Sequence, residues 1–278
     1  MMSTDNKYLK ILINQKGPAF RLRRTFCCII CVLFITSCQK VINIDLNSAS
    51  PAIVIVGNVN DQPGPYTVSL SQTVNFSEPN SFPPVSGAFI TIGDNAGNID
   101  TLAETIPGMY HTKRIMGVAG RTYNLTVIAN GQTYTSSSTM PQAVTFDTLI
   151  TYEQMGFRDT NLYPQAIFLD PASVANYYRF VETRNDSVVT RIFITDDQYT
   201  NGRFIQYTLR SDTALAIGDS VKVEMQCIDQ GAYQYFSTLR EASGNTNVTP
   251  YNPISNISNN ALGYFSAHTS RYKAIKVP

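Results

Sequence analysis

From residue 51 onward, apolar and polar positions follow one another with the period of strands. Pro51 to Asn60 holds the β-branched run Ala52-Ile53-Val54-Ile55-Val56-Gly57-Asn58-Val59, which reads as a buried strand. Asp61-Gln62-Pro63-Gly64-Pro65 then reads as a turn. Tyr66, Val68 and Leu70 alternate with Thr67, Ser69 and Ser71, the pattern of a half-buried strand. Gly87 to Ile92, Met109-Tyr110 and the alternating Tyr123, Leu125 and Val127 predict further strands. Gly93-Asp94-Asn95-Ala96-Gly97 closes the first of these as a turn. It is no phosphate loop, because no Lys-Ser/Thr follows it. Asn130-Gly131 is a hairpin signal, since both positions of a type I′ turn require positive φ, and Gln132 to Thr139 is the return strand. No helix is predicted before residue 145.

Met140-Pro141 ends this block, and Thr148 to Pro164 reads as a connector with some order. Strands are expected again at Gln165–Asp170, Asn176–Glu182, Arg191–Thr195, Arg203–Leu209, Ser220–Ile228 and Leu262–Ala267. Ala232 to Ala242 departs from period two: Tyr235, Phe236 and Leu239 share the face of a short amphipathic helix. The expected fold is therefore mostly β, in two units. The first is an immunoglobulin-like β-sandwich over 51–145, and the second a β-rich domain with a short helix over 146–278. Eleven of sixteen tyrosines follow residue 150. Aromatics alternating on strands are expected to face a core, with a ligand-stacking face as the alternative. The long loops Thr73–Ser86 and Gly244–Asn260 are the candidate contact loops.

The residues before 51 change the picture most. Twenty-one Lys and Arg oppose twenty Asp and Glu, for a net charge of +1. Six of the basic residues lie in the first 37 positions (Lys7, Lys10, Lys16, Arg21, Arg23, Arg24), against Asp5 alone. A basic stretch, the apolar run Phe26 to Ile35 and small residues after it form the plan of a secretory signal over 1–37. The run is ten residues, too short for a membrane span, which needs about 20. Ile35-Thr36-Ser37-Cys38 has the form of a bacterial lipobox: an aliphatic residue, two small residues that fit a narrow protease site, and a thiol that takes a diacylglyceryl group. Cys38 is thus the expected lipidation site and first mature residue, and 38–50 a lipid-anchored linker. An ordinary signal peptide is the alternative.

Composition removes several function classes. Without a basic excess the chain lacks the charge of a nucleic-acid binder. Of the five cysteines, Cys27, Cys28 and Cys31 lie in the signal and Cys38 takes the lipid. Cys227 is left as a structural thiol, with no disulfide or thiolate metal cluster expected. Histidine is limited to His111 and His268, so a triad has few places to form. Asp196, Asp197 and Asn201-Gly202 gather hard oxygen ligands. Gln198 and Thr200 fit a calcium loop poorly, and no glutamate follows at the right distance. A β-hairpin turn is expected there, with a divalent cation as the alternative. No catalytic residue, cofactor or metal site is assigned. A hydrolase remains the alternative should a cleft hold a histidine beside a carboxylate and a serine.

A series of motifs carries a family resemblance. Val41-Ile42-Asn43-Ile44-Asp45-Leu46 follows the lipobox, and then the strand ending at Gly57 and the segment Pro65 to Ser71. Val85-Ser86-Gly87-Ala88, Pro107-Gly108-Met109-Tyr110, Gly120-Arg121-Thr122-Tyr123-Asn124-Leu125 and Thr139-Met140-Pro141 follow in order. Downstream come Tyr233-Gln234-Tyr235-Phe236, Asn252-Pro253, Ser255-Asn256-Ile257 and Gly263-Tyr264-Phe265-Ser266-Ala267. The series resembles the lipoproteins of Bacteroidetes-type bacteria grouped as domain of unknown function 4249. The resemblance implies an outer-membrane lipoprotein that often accompanies a TonB-dependent receptor, without established catalytic residues. The expected function is that of an accessory or binding lipoprotein in nutrient capture. A structural or adhesion lipoprotein of the envelope is the alternative. Gln39-Lys40-Val41-Ile42 lacks the acidic residues common after the lipid cysteine of surface-exposed lipoproteins. That leaves the membrane face open.

Overall fold

The computed structural model describes residues 51–75, 81–156, 160–244 and 251–278. The expected signal peptide over 1–37, the lipidation point Cys38 and the linker 38–50 lie outside the described residues, as do 76–80 and 245–250 of the two candidate loops. Residues Ala49–Pro278 form one compact unit.

The alternation of the first segment becomes β1 (Ile53–Asn60), whose odd-numbered residues are buried. It pairs antiparallel with β2 (Thr67–Gln72), Ile55 opposite Leu70. The next strands are β3 (Phe89–Asp94), β4 (Ile99–Thr101), β5 (Ala103–Ile106) and β6 (Met109–His111). β7 (Thr122–Ala129) and β8 (Gln132–Thr139) form the expected hairpin. Asn130 and Gly131 carry φ of 51° and 74° at its tip, the left-handed pair a type I′ turn requires. The order β4-β3-β7-β8 makes a four-stranded sheet.

The stretch Thr148 to Pro164, expected as a connector, contains an antiparallel hairpin of β9 (Thr148–Met155) and β10 (Thr160–Leu169). The pattern hid it because β9 is mostly exposed and its polar and apolar residues do not alternate cleanly. Then come β11 (Tyr177–Arg184), β12 (Ser187–Val188), β13 (Phe193–Asp196), β14 (Phe204–Thr208), β15 (Ser220–Ile228), α1 (Gln230–Gly244) and β16 (Leu262–Lys276). β13 and β14 were expected to flank a hairpin turn, but they do not pair. β13 joins β11, and β14 joins β10 in the three-stranded sheet β14-β10-β9. The segment 197–203 is therefore a link between sheets.

The remaining strands form one sheet in the order β12-β11-β15-β16-β1-β2-β6-β5, with β13 on β11. This sheet takes strands from both sides of the boundary expected at 145/146. The splice is β16. Its first half runs parallel to β1, from Val54 opposite Leu262 to Asn60 opposite His268, and its second half runs antiparallel to β15. β1 and β16 lie at Gly263 too close for a side chain: an added Cβ would sit 2.0 Å from the Ile55 carbonyl oxygen, and φ is +95°.

Buried side chains gather in two main clusters that do not respect the expected boundary at 145/146: Val144 belongs to the second, and Ile257, Ala261, Phe265 and Ala267 belong to the first. Ile55, Leu70, Ile90, Leu125 and Phe265 belong to the first cluster, and Phe168, Phe180, Met225, Cys227 and Val277 to the second. Burying Phe265 over Gly57 and Val68 contributes about 2–3 kcal/mol. A third, smaller cluster sits under α1 and includes Ile194, Ile228, Ala232 and Phe236. The helix is capped by Asp229, whose Oδ1 accepts from Ala232 N at 2.9 Å. Asp229 Oδ2 accepts from Ser138 Oγ at 2.7 Å and ties the helix start to β8.

Candidate functional site

Six successive residues of β16, Phe265 to Ser270, are buried. A strand turns alternate side chains to opposite faces. Phe265, Ala267 and Thr269 face the cores, and Ser266, His268 and Ser270 face the other side. The registers set a polar row beside them: Arg179 of β11 opposite Gln226 of β15, and Gln226 opposite Ser270.

This row is hydrogen-bonded end to end. Arg179 Nη1 donates to Gln226 Oε1 at 2.8 Å, and Gln226 Nε2 donates to Glu224 Oε1 at 3.0 Å. Ser270 Oγ donates to the same carboxylate oxygen at 2.6 Å. Asp61, just past β1, accepts from Ser270 N at 2.8 Å and from Arg271 Nη1 at 2.7 Å. The Arg179 guanidinium stacks 4.2 Å above the Phe236 ring of α1. Burial works against the Arg179 charge, and the fields of Tyr264 and Glu224 support it.

His268 lies within this face, and its Nδ1 meets Ser266 Oγ at 3.3 Å. Burial, opposed by Glu224 and reinforced by Arg179, pushes its pKa down to about 4, so the ring is neutral at neutral pH. A serine, a histidine and a carboxylate are thus neighbours, but His268 and Ser266 are both buried. Nucleophilic chemistry needs a path for substrate to the serine. His111 sits on β6 and bonds Thr105 Oγ1 at 2.8 Å. Cys227 is buried on the core side, and burial pushes its thiol pKa up, away from the reactive thiolate.

In its described part the Gly244–Asn260 candidate loop packs against β8. Ser258 N donates to Thr135 O at 2.9 Å, and Ser136 Oγ donates to Asn256 O at 2.7 Å. Residues 255–259 therefore cover the β8 edge, which would otherwise present unpaired backbone groups. Between this cover and the β7–β8 face lies an open depression of about 630 Å³. Its rim carries Asn124, Thr126, Thr135, Ser137, Ser255 and Asn256, all uncharged donors and acceptors. This chemistry suits a neutral, polyhydroxylated or amide-bearing ligand.

Of the tyrosines after residue 150, Tyr152, Tyr199, Tyr251 and Tyr272 are exposed, and others pack against the protein. Tyr178 is fully buried and touches Phe168 edge-on at 4.7 Å, as expected for a core ring. Tyr177, Tyr233, Tyr235 and Tyr264 are half-buried and pack ring against ring, Tyr177 with Tyr233 and Tyr235 with Tyr264, both at 4.9 Å. They form the seat of α1.

No pattern in the sequence pointed to the outer face of β14-β10-β9. On β14-β10-β9 one face is buried through Leu149, Ala166, Phe168 and Ile205. The other face presents Phe204 (64 % exposed) opposite Leu169 (49 %), with Ile150 and Tyr152 exposed along β9. Among the described residues no three His, Cys, Asp or Glu side chains gather as metal ligands. No helix among them is long and apolar enough to cross a membrane.

A family model described as a domain of unknown function, DUF4249, matches residues 39–274. No curated protein matches the chain.

Proposed function

The chain belongs to the DUF4249 family, and from that premise we propose that it is a lipid-anchored accessory or binding protein of the outer membrane. It holds a ligand, or caps a channel, beside a TonB-dependent receptor. The observation that carries this reading is Ile35-Thr36-Ser37-Cys38, a short stretch of sequence ahead of the first described strand, which begins at Ile53. Each buried methylene contributes about 0.8 kcal/mol, and a single acyl chain holds only marginally. A lipidated Cys38 bearing more than one chain anchors stably. The anchor keeps the body at high effective concentration next to a membrane partner.

Two surfaces divide the work. The hydroxyl- and amide-rimmed depression between β7, β8 and residues 255–258 takes the ligand. The apolar row of Phe204, Leu169, Ile150 and Tyr152 supports a protein partner, because an apolar surface of that kind is covered by protein–protein contact. We read 51–145 as an immunoglobulin-like sandwich that carries the first surface.

Mass spectrometry of the full chain from native membranes tests the anchor. An acylated peptide beginning at Cys38, lost with membrane fractionation in Cys38→Ser, is the expected result. A Cys38→Ser chain that fractionates like the wild type, with no acylated peptide in either, overturns the reading. Affinity capture from the same membranes tests the partner. A barrel receptor is expected with the wild type and is depleted with Phe204→Asp. Capture of cell-wall material without a barrel supports the structural or adhesion reading instead.

A further inference from the structure

The two loops around the β13–β14 link bury oxygen that nothing in the described structure satisfies. Residues 170–176 and 196–203 are laced together. Asp170 N donates to Arg203 O at 3.0 Å, Gly202 N to Asp170 Oδ2 at 3.0 Å, Ser173 N to Asn201 Oδ1 at 2.9 Å and Asp197 N to Asn176 O at 3.2 Å. Two carboxylates are buried in this junction, Asp170 at 1 % and Asp197 at 5 % exposure. Neither is in an ion pair among the described residues. Asp170 is satisfied, by Gly202 N on one oxygen and by the Tyr178 hydroxyl on the other. Asp197 is not: its Oδ2 is buried without a partner, and so is Thr200 Oγ1. Thr200 N donates to Asp197 O at 2.9 Å, which folds the turn so that the two residues return toward each other. Burial raises the Tyr178 pKa first, then its bond to Asp170. The charge of Asp197 adds to this, which places both carboxylates in the field of one phenol.

An ionised carboxylate buried without a counter-charge is strongly unfavourable. The oxygen atoms left open by Asp197 and Thr200 are what a hard cation takes. We propose that the junction of 170–176 with 196–203 binds a calcium ion through Asp197 Oδ2 and Thr200 Oγ1, with backbone carbonyls and water completing the shell. Calcium accepts six to eight oxygens in irregular geometry, whereas magnesium demands a near-ideal octahedron that an irregular inter-sheet turn does not supply. The residues that the sequence pattern singled out beside Asp197 are not the ligands. Asp196 Oδ2 is taken by the Tyr233 hydroxyl at 2.9 Å and its Oδ1 by Gln198 N, while Asn201 Oδ1 is taken by Ser173 N. By fixing the link between the nine-stranded and three-stranded sheets, the ion stiffens the mount of the apolar row on β14.

Terbium luminescence on the full chain in detergent tests this directly. The chain has no tryptophan, so tyrosine is the sensitiser, and Tyr178 lies against the site. Saturable terbium emission under tyrosine excitation is expected, displaced by calcium, lost in Asp197→Asn and weakened about tenfold in Thr200→Val. Calcium at a hundredfold excess over its dissociation constant is expected to raise the wild-type melting temperature by about 5 °C relative to EDTA, and to leave Asp197→Asn unmoved. Absence of saturable emission, equal melting in calcium and EDTA, or wild-type terbium binding by Asp197→Asn each overturns the proposal. If Asp197→Asn does not fold, Thr200→Val alone decides: an unchanged calcium affinity overturns it. Neither the terbium emission nor the melting shift depends on acylation of Cys38, so a failure here leaves the anchor reading intact, and the reverse.

Discussion

Buried acids are handled differently in the two halves of the chain. Asp100, in the first half, accepts from three backbone amides, Lys113 N at 2.7 Å, Arg114 N at 2.6 Å and Ile115 N at 3.0 Å. Burial raises its pKa, and the three amides more than offset this, so the net shift is downward. Asp94 is likewise held by the Ala96 and Asn98 amides and by Arg121 Nη1 at 2.8 Å. In the second half Asp197 keeps an empty oxygen, and Glu182, although paired with Arg184, leaves Oε2 without a partner. All five buried side-chain oxygens that lack a partner among the described residues follow residue 150: those of Gln154, Glu182, Asp197, Thr200 and Thr269. The first half closes its own polar accounts, whereas the second holds open demand. Where polar groups are buried and unsatisfied, a ligand or an ion has something to gain.

The comparison can be broken most forcefully at Asp100. Asp100→Ala strands three amides at once and is expected to destabilise the protein by about 3 kcal/mol in urea unfolding. A loss under 1 kcal/mol would mean that water already serves those amides.

A second measurement sharpens the comparison through pH. His268 is depressed to about 4 in the folded chain against 6.5 as its ordinary value. Between these values the unfolded chain binds the proton and the folded chain does not. Stability is therefore full above pH 6.5 and falls as pH drops toward 4, by up to about 3 kcal/mol. Asp61, Asp94 and Asp100 have lowered pKa values, so their contribution is present above their ordinary 3.8 and is lost as pH falls through the folded values. Urea midpoints measured from pH 7 to 3 are expected to show these two stages. His268→Gln is expected to flatten the first stage and leave the second.

The smallest expected effect is the most diagnostic. In EDTA, Asp197→Asn is expected to lie within about 0.5 kcal/mol of the wild type, or to be more stable, because it replaces a buried acid that is in no ion pair among the described residues. A loss of 2 kcal/mol or more in EDTA would place Asp197 with Asp100, as an acid that the fold itself requires.

Much of the strand framework was legible. The Ile-Val run of β1, the Asn130-Gly131 turn and the aromatic face of α1 were each read correctly, because turn chemistry and short periods act over a few residues. β9 was missed because its two-sided exposure erases alternation, and β4 and β5 because three or four residues carry too little pattern. The reading of Asp196 to Gly202 as a hairpin assumed that adjacent strands pair, but β13 and β14 enter different sheets. Of the polar face, His268 was visible as a residue, but Arg179, Gln226 and Glu224 were not assigned to it, since they come from strands far apart in the chain.

The sequence by itself determined the mostly β class, a helix in the second half, the Asn130-Gly131 turn and the lipobox expectation at Cys38. Each rests on steric or hydropathic preferences expressed within a few neighbouring residues. The tertiary structure alone decided that β16 lies parallel to β1 across more than two hundred residues, that 197–203 links two sheets, and which buried oxygens are left without donors. A hydrogen bond needs its partner within about 3 Å. Only the folded chain sets which residues come that close.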